Sequence, residues 1–279
     1  MKEGNGNKSE EKRGRFEFGK NWYKYLAGVD EEKIGEAEAS LKRMLNADRL
    51  EGKSFLDVGC GSGLFSLAAR RLGAAVRSLD YDPVCVSCTE ELKKRFDRDD
   101  PSWTIERGDV LDRNYLRSLG KFDIVYSWGV LHHTGAMWQA MENVIENVKQ
   151  GGILYLSIYN DQGKISDIWS ALKTVYNQSP SVVRVCMVLA VGFVWFAYSA
   201  ILRLMILKNP IPFKEWRQQK AKRGMSVWHD LVDWVGGYPF EVAKPEKVFE
   251  FFYQRGFELS QLKTVGGRAG CNEFLFRRK

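Results

Sequence analysis

The run Phe55-Leu56-Asp57-Val58-Gly59-Cys60-Gly61-Ser62-Gly63 decides the fold. A short apolar segment (53–58) runs straight into closely spaced glycines, and residues 64–72 then carry apolar side chains at helical spacing. Glycine lets a backbone turn sharply and lets a ligand approach it closely. Outward from this run the same alternation repeats. Further apolar strands are predicted at 75–79, 103–106, 122–127 and 153–158, with helices at 83–96 and 136–148. At the far end come a helix at 244–255 and strands at 258–263 and 273–276. Strands alternating with helices imply βαβ units and a doubly wound α/β sheet. Upstream, Ile34, Ala37, Leu41 and Leu45 recur at helical spacing within 31–50, and residues 1–15 are polar and expected to be loose.

The glycine run departs from a dinucleotide-binding fingerprint. That pattern needs G-x-G-x-x-G; here the third glycine comes one position early and Leu64 stands in its place. Asp57 closes the strand two residues before the first glycine, where a carboxylate repels a pyrophosphate and attracts an ammonium or sulfonium group. Asp80 ends the second strand, where an acid can accept hydrogen bonds from ribose hydroxyls. Gly108-Asp109 follows the third strand, where a carboxylate can take the amino group of adenine. With LDVGCGSG at 56–63, SLDYDP at 78–83, GDVLD at 108–112 and YSWGVLHHTG at 126–135, the chain resembles the class I S-adenosyl-L-methionine-dependent methyltransferases. The resemblance covers about 50–160 and the final helix and strand pair. It implies a Rossmann-like seven-stranded sheet with a reversed hairpin at its edge. It also implies a cofactor site. Asp57, Gly59, Gly61 and Gly63 would lie around the methionine part, Asp80 at the ribose, and Asp109 with Val110 at the adenine, with Cys60 and Tyr81 also among the cofactor-binding residues. Ser127 and Trp128 would line the floor, with His132 beside the cofactor. A degenerate domain that keeps the loop without turnover is the bland alternative.

Methyl transfer asks a protein mainly for proximity and alignment, plus a base when the nucleophile is a hydroxyl or acidic carbon. His133 follows the fourth strand and faces the crevice where such sheets bind ligands. His229, beside Asp230, is a second candidate base, although neighbours on a helix do not face each other; the bland reading of 228–234 is an amphipathic lid helix. Tyr155, Tyr159, Asn160, Asn21 and Trp22 are candidates for substrate contact. No Asn-Pro-Pro-Tyr tetrapeptide follows the fourth strand, where Ser127-Trp128-Gly129-Val130 stands instead. That absence favours an oxygen or carbon nucleophile on a small-molecule acceptor. Cys85 and Cys88 form a single CxxC on a predicted helix, which reads as packing, and no metal site is expected.

The 279 residues are ordinary globular material, with 44% hydrophobic and 28% charged side chains. The five cysteines form no disulfide framework, and the first residues lack the apolar core of a secretory signal, so a cytoplasmic location is expected. Between 160 and 245 the alternation stops. The domain organisation expected is a tail and helix (1–50), a cofactor-binding core (51–160), a helical insertion (161–240) and a closing helix and strand pair (241–279).

The insertion holds an uncharged run, VCMVLAVGFVWFAYSAIL at 185–202, long enough to qualify as a membrane span. A single crossing is disfavoured, because the last two strands must rejoin the sheet on the side the chain left. An interfacial or re-entrant hairpin, or a buried helical cap, remains. Residues 203–223 carry seven basic side chains and one acid, nearly the whole formal excess of +7. An apolar helix beside a polybasic segment is the pair of signals that peripheral anchoring on anionic lipid requires. The expectation is thus a methyltransferase for a small lipophilic acceptor, on the inner face of a membrane through 181–223. The competing readings are an RNA methyltransferase using 203–223, with nucleic acid judged unlikely for want of interleaved aromatics, and a non-catalytic cofactor-binding scaffold.

Overall fold

A computed structural model describes Phe16 and residues 18–97, 100–205 and 227–279. The expected loose tail (1–15) and most of the basic stretch (206–223) lie outside the described residues. The chain divides into two units, one of residues 17–166 and 240–279, the other containing Phe16 and 167–239.

The first unit is built on a seven-stranded sheet in the order β3-β2-β1-β4-β5-β7-β6. Its strands are β1 (Ser54–Val58), β2 (Ala75–Asp80), β3 (Trp103–Arg107), β4 (Phe122–Trp128), β5 (Val148–Tyr159), β6 (Phe257–Lys263) and β7 (Cys271–Arg278). β1 to β5 pair in parallel, whereas β7 runs antiparallel between β5 and β6. This is the doubly wound sheet that the alternation predicts, with the reversed edge hairpin that the resemblance implies. β5 begins earlier than the apolar pattern suggests, because Val148 pairs with Phe122 before the register shifts past Gly151 and Gly152.

The helices of this unit are α1 (Gly19–Leu26), α2 (Glu31–Leu45), α3 (Leu64–Arg71), α4 (Pro83–Phe96), α5 (Arg113–Ser118), α6 (Met137–Ile145) and, after the second unit, the closing helix Pro245–Tyr253. Local chemistry sets their ends. Asp30 caps α2 by accepting from Lys33 N, and Asn46 in the left-handed region (φ 49°) stops it short of residue 50. Asp82 caps α4 ahead of Pro83, whose fixed φ suits a first helical position. The buried positions of α2 are the four read from the sequence: Ile34, Ala37, Leu41 and Leu45.

One face of the sheet buries a large apolar cluster. Leu56, Val125, Leu154 and Phe274 meet Met141 and Val144 of α6 and Phe252 of the closing helix. Removing a fully buried phenylalanine such as Phe252 costs about 3–5 kcal/mol. This core holds the strands in register, and the register sets which side chains meet at the strand ends.

The second unit contains α7 (Lys164–Gln178, which starts in the first unit), α8 (Ser181–Met205) and α9 (Val227–Gly236); the closing helix is therefore α10. Tyr176, Val188, Leu231 and Val235 form its buried cluster. Lys173 is buried beside the rings of Trp169 and Trp234 and donates to the Trp234 carbonyl. Along α8 only Val188 is buried. Val182, Phe193 and Met205 are 73%, 71% and 75% exposed, and Trp195, Tyr198, Ile201 and Leu202 are exposed on other sides of the helix.

Candidate functional site

The parallel strands end side by side at their carboxyl edge. Asp57 of β1 is in register with Ser78 of β2 and with Tyr126 of β4, and Tyr126 with Tyr155 of β5. A polar row therefore crosses the sheet just beneath the glycine loop. Asp57 is buried and accepts from Ser66 Oγ of α3. Burial, only partly opposed by that hydrogen bond and reinforced by the neighbouring Asp80, pushes its carboxyl up to about 7. Asp80 accepts from the amides of Gly61 (3.0 Å) and Asp82 (2.9 Å). Burial outweighs these donors and raises it to about 6. Two carboxylates are thus held close together, with no cation among the described residues acting on either.

The loop between them depends on its glycines. Gly59 has φ 84°, and a Cβ there would sit 2.4 Å from the Val130 side chain. Gly61 has φ 56° and lies under the Trp22 ring of α1, 3.1 Å from where its Cβ would be. Gly63, also left-handed, is the N-cap of α3. α1 is itself anchored nearby, Gly19 N donating to Asp82 Oδ2 at 3.0 Å.

The other expected cofactor residues fall around this loop. Cys60 is buried, its Sγ 3.3 Å from Thr89 Oγ1, and burial raises its thiol well above the usual range. Tyr81 is exposed, with the Arg107 guanidinium over its ring. Asp109 Oδ1 accepts from Leu111 N, shaping the turn after β3, and the Val110 carbonyl accepts from Asn143 Nδ2 at 2.9 Å. Ser127 Oγ donates to the Val58 carbonyl at 3.0 Å and so ties β4 to the base of the loop. Trp128 stands exposed at the end of β4.

The histidines sit in a ring cluster beyond β4. His132, fully buried, lies with its centroid 4.0 Å from Tyr159 and 4.5 Å from His133. His133, only partly buried, packs on Phe18 at 4.8 Å, and Tyr159 packs on Phe240 at 5.3 Å. Glu241 locks this turn. Its amide donates to the His132 carbonyl, and its carboxylate accepts from Met137 N at the start of α6. Phe18, Phe240 and Glu241 carry no motif signal; only the fold brings them here.

Two expected substrate contacts are committed elsewhere. Tyr155 donates to Glu273 Oε2, and Asn160 accepts from Asn272 Nδ2 and donates to the Arg268 carbonyl. Asn21 and Trp22 lie on α1, Trp22 over the loop. His229 is on α9, but its side chain lies outside the described residues. Cys85 and Cys88 are buried on α4.

S-adenosylmethionine fits this arrangement. It brings positive charge to carboxylates that have no counter-ion among the described residues, and backbone-compatible contact to glycines whose φ and neighbours exclude a side chain.

The comparisons with known proteins agree. The family model described as "Methyltransferase domain" matches residues 29–242, more than half of the chain. The ubiquinone biosynthesis O-methyltransferase of Escherichia coli is 30% identical over 120 residues, 42% of this chain and 48% of that protein. The chain spans about half the length of the curated relatives it matches. Magnesium protoporphyrin IX methyltransferase from Synechocystis PCC 6803, solved with bound S-adenosylmethionine, superposes with TM-score 0.53 at 12% identity over 94% of this chain and 91% of that one. The cyclase SpnF superposes equally well (TM-score 0.53, 12% identity, 88% and 80% covered), so the shape alone does not specify a reaction. The glycine loop, the strand-end acids and the family match together place this chain among the class I S-adenosylmethionine-dependent methyltransferases.

Proposed function

We propose that the protein methylates an oxygen or carbon of a small lipophilic acceptor while lying on an anionic membrane surface. When bound, S-adenosylmethionine supplies a methyl group on a positively charged sulfur, ready for in-line displacement. Asp57, with the Gly59–Gly61–Gly63 loop, holds the methionine end; Asp80 and Tyr81 hold the ribose; Asp109 and Val110 hold the adenine; Ser127 and Trp128 form the floor. His133 is the base, since its ring is partly buried yet fixed between Phe18 and Tyr159. His132 is the buried support against which it packs.

The observation that carries the lipophilic, membrane-side part is α8. Apart from the stripe at Val188 and Gly192 that packs on α9, its surface is exposed and apolar, and a helix apolar on every side belongs in a core or in lipid. A protein partner would need only one stripe. At 25 residues α8 is about 37 Å long. A full crossing is disfavoured, because the strands that follow α8 rejoin the sheet of the first unit. Leu231 of α9 packs beside Gly192 of α8, as an inserted hairpin would require. The basic residues that follow α8 in the sequence supply attraction to anionic headgroups, about 1 kcal/mol per charge near the surface.

Flotation tests the membrane part. The full chain should rise with vesicles containing anionic lipid, and the double variant Phe193→Glu, Leu202→Glu should stay in the soluble fraction. Equal recovery of both in the soluble fraction overturns it. Incubation with radiolabelled methyl donor and separated lipid and RNA extracts tests the acceptor. Label is expected in the lipid phase; label in RNA alone contradicts the reading. His133→Ala should bind S-adenosylhomocysteine within about twofold of the parent yet lose about 100-fold or more in turnover; full turnover removes His133 as the base.

A further inference from the structure

Three buried groups line up behind Asp57. Trp103 Nε1 donates to Ser78 Oγ at 2.8 Å, Ser78 Oγ lies 2.7 Å from Ser66 Oγ, and Ser66 Oγ donates to Asp57 Oδ2. With Asp57 they come from β3, β2, α3 and β1, and all are essentially excluded from solvent. Chemistry fixes the direction of the chain. An indole N–H can only donate, and an ionised carboxylate can only accept. Ser78 therefore receives from Trp103 and gives its own proton to Ser66, which gives its own to Asp57. Every hydrogen points toward the carboxylate, and donors in series polarise one another.

We infer that Ser66, Ser78 and Trp103 are positioning residues that aim Asp57 and hold it as an acceptor for the cationic end of the cofactor. The inference rests on the reading of Asp57 as a cofactor ligand. The relay is more than packing, because its middle members are small hydroxyls in a buried layer where alanine would fill nearly the same space. It also opposes the burial that drives Asp57 toward protonation, and so sets how far into neutral pH the site stays competent. The titratable groups facing Asp57 are Asp80 from β2, Cys60 from the loop and Tyr126 from β4. The α3 arginines are engaged elsewhere, Arg70 with Asp100 and Arg71 with Glu31.

The test is calorimetric titration of the full chain with S-adenosylhomocysteine from about pH 5.5 to 8.5, a range that brackets the Asp57 titration. The parent should lose affinity as pH falls and Asp57 is neutralised. Removing a donor destabilises the carboxylate and raises its pKa, so the acid limb must move to higher pH. Ser66→Ala should move it most, by about 1 pH unit, Ser78→Ala less, and Trp103→Phe least. Any loss of affinity at the alkaline end should be clearly smaller than the loss at the acid end, a pattern that loss of packing alone does not produce. Superimposable limbs, or an equal loss at every pH, overturn the relay. Asp57→Asn separates this failure from that of the underlying reading. If that variant binds like the parent with the same limb, Asp57 is not the ligand, whatever the serine variants do.

Discussion

The two ends of the parallel sheet hold the same chemical group in opposite circumstances. At the amino end Asp123 accepts from Ser54 N (2.9 Å), Ser54 Oγ (2.7 Å) and Lys149 Nζ (2.8 Å). Burial works against its charge, but these donors outweigh burial and hold its carboxyl well below the usual range. At the carboxyl end Asp57 and Asp80 are more deeply buried, have no cation among the described residues and have each other for company, and both are pushed up. The first arrangement stabilises the fold. The second stores an unmet demand for positive charge, which is what a binding site needs and what a stable core avoids. The difference lies in which neighbours the strand ends supply.

The strongest way to break the comparison is at the loop that frames the upper acids. Gly59→Ala forces a side chain into a left-handed backbone and against Val130. Loss of S-adenosylhomocysteine binding by more than about 100-fold in calorimetry is expected, roughly 2.7 kcal/mol. Undiminished affinity would mean the loop does not meet the ligand.

Asp123→Ala probes the lower end. It leaves Lys149 and Ser54 without their acceptor and should cost about 1–3 kcal/mol in a denaturant titration. Cofactor affinity should stay within about twofold, since nothing at the carboxyl edge changes.

The pH dependence of stability should carry opposite signs at the two ends. Asp57 and Asp80 have pKa values raised above 3.8 in the folded chain, so they favour folding when protonated. Their contribution fades as pH rises from about 4 toward 7. Asp123 is lowered, so its contribution is present above about 4 and is lost as pH falls below that. Melting of the ligand-free protein between about pH 5 and 8 should therefore show a decline that Asp57→Asn flattens and Asp123→Ala does not. The smallest effects belong to Ser78 and Trp103, the outer donors of the relay behind Asp57.

The carboxyl end of this contrast is legible in the amino-acid sequence, because an acid or glycine follows each apolar run, as at Asp57-Val58-Gly59, Leu79-Asp80 and Gly108-Asp109. The amino end is not, because Asp123 meets Ser54 and Lys149 only through strand register, across 69 and 26 residues of sequence. The relay is hidden for the same reason, since Ser66, Ser78 and Trp103 share no motif. Tyr155 and Asn160 read as substrate contacts at a strand end, yet β7 supplies Glu273 and Asn272 to engage them. α5 is six residues long and defined by its Asp112 cap, too short for periodicity to reveal. α1 (GKNWYKYL) has only a brief amphipathic pattern, and its place is set by Gly19 and Trp22 packing on the loop region.

The most direct test of the central claim is Asp57→Asn, measured twice at about pH 8, where the parent's carboxyl is mostly ionised. Its ligand-free melting temperature should rise, because a buried charge without a counter-ion has been removed. Its affinity for S-adenosylhomocysteine should fall by about 30-fold or more, roughly 2 kcal/mol. A variant that melts lower than the parent, or binds as tightly as it does, contradicts the account.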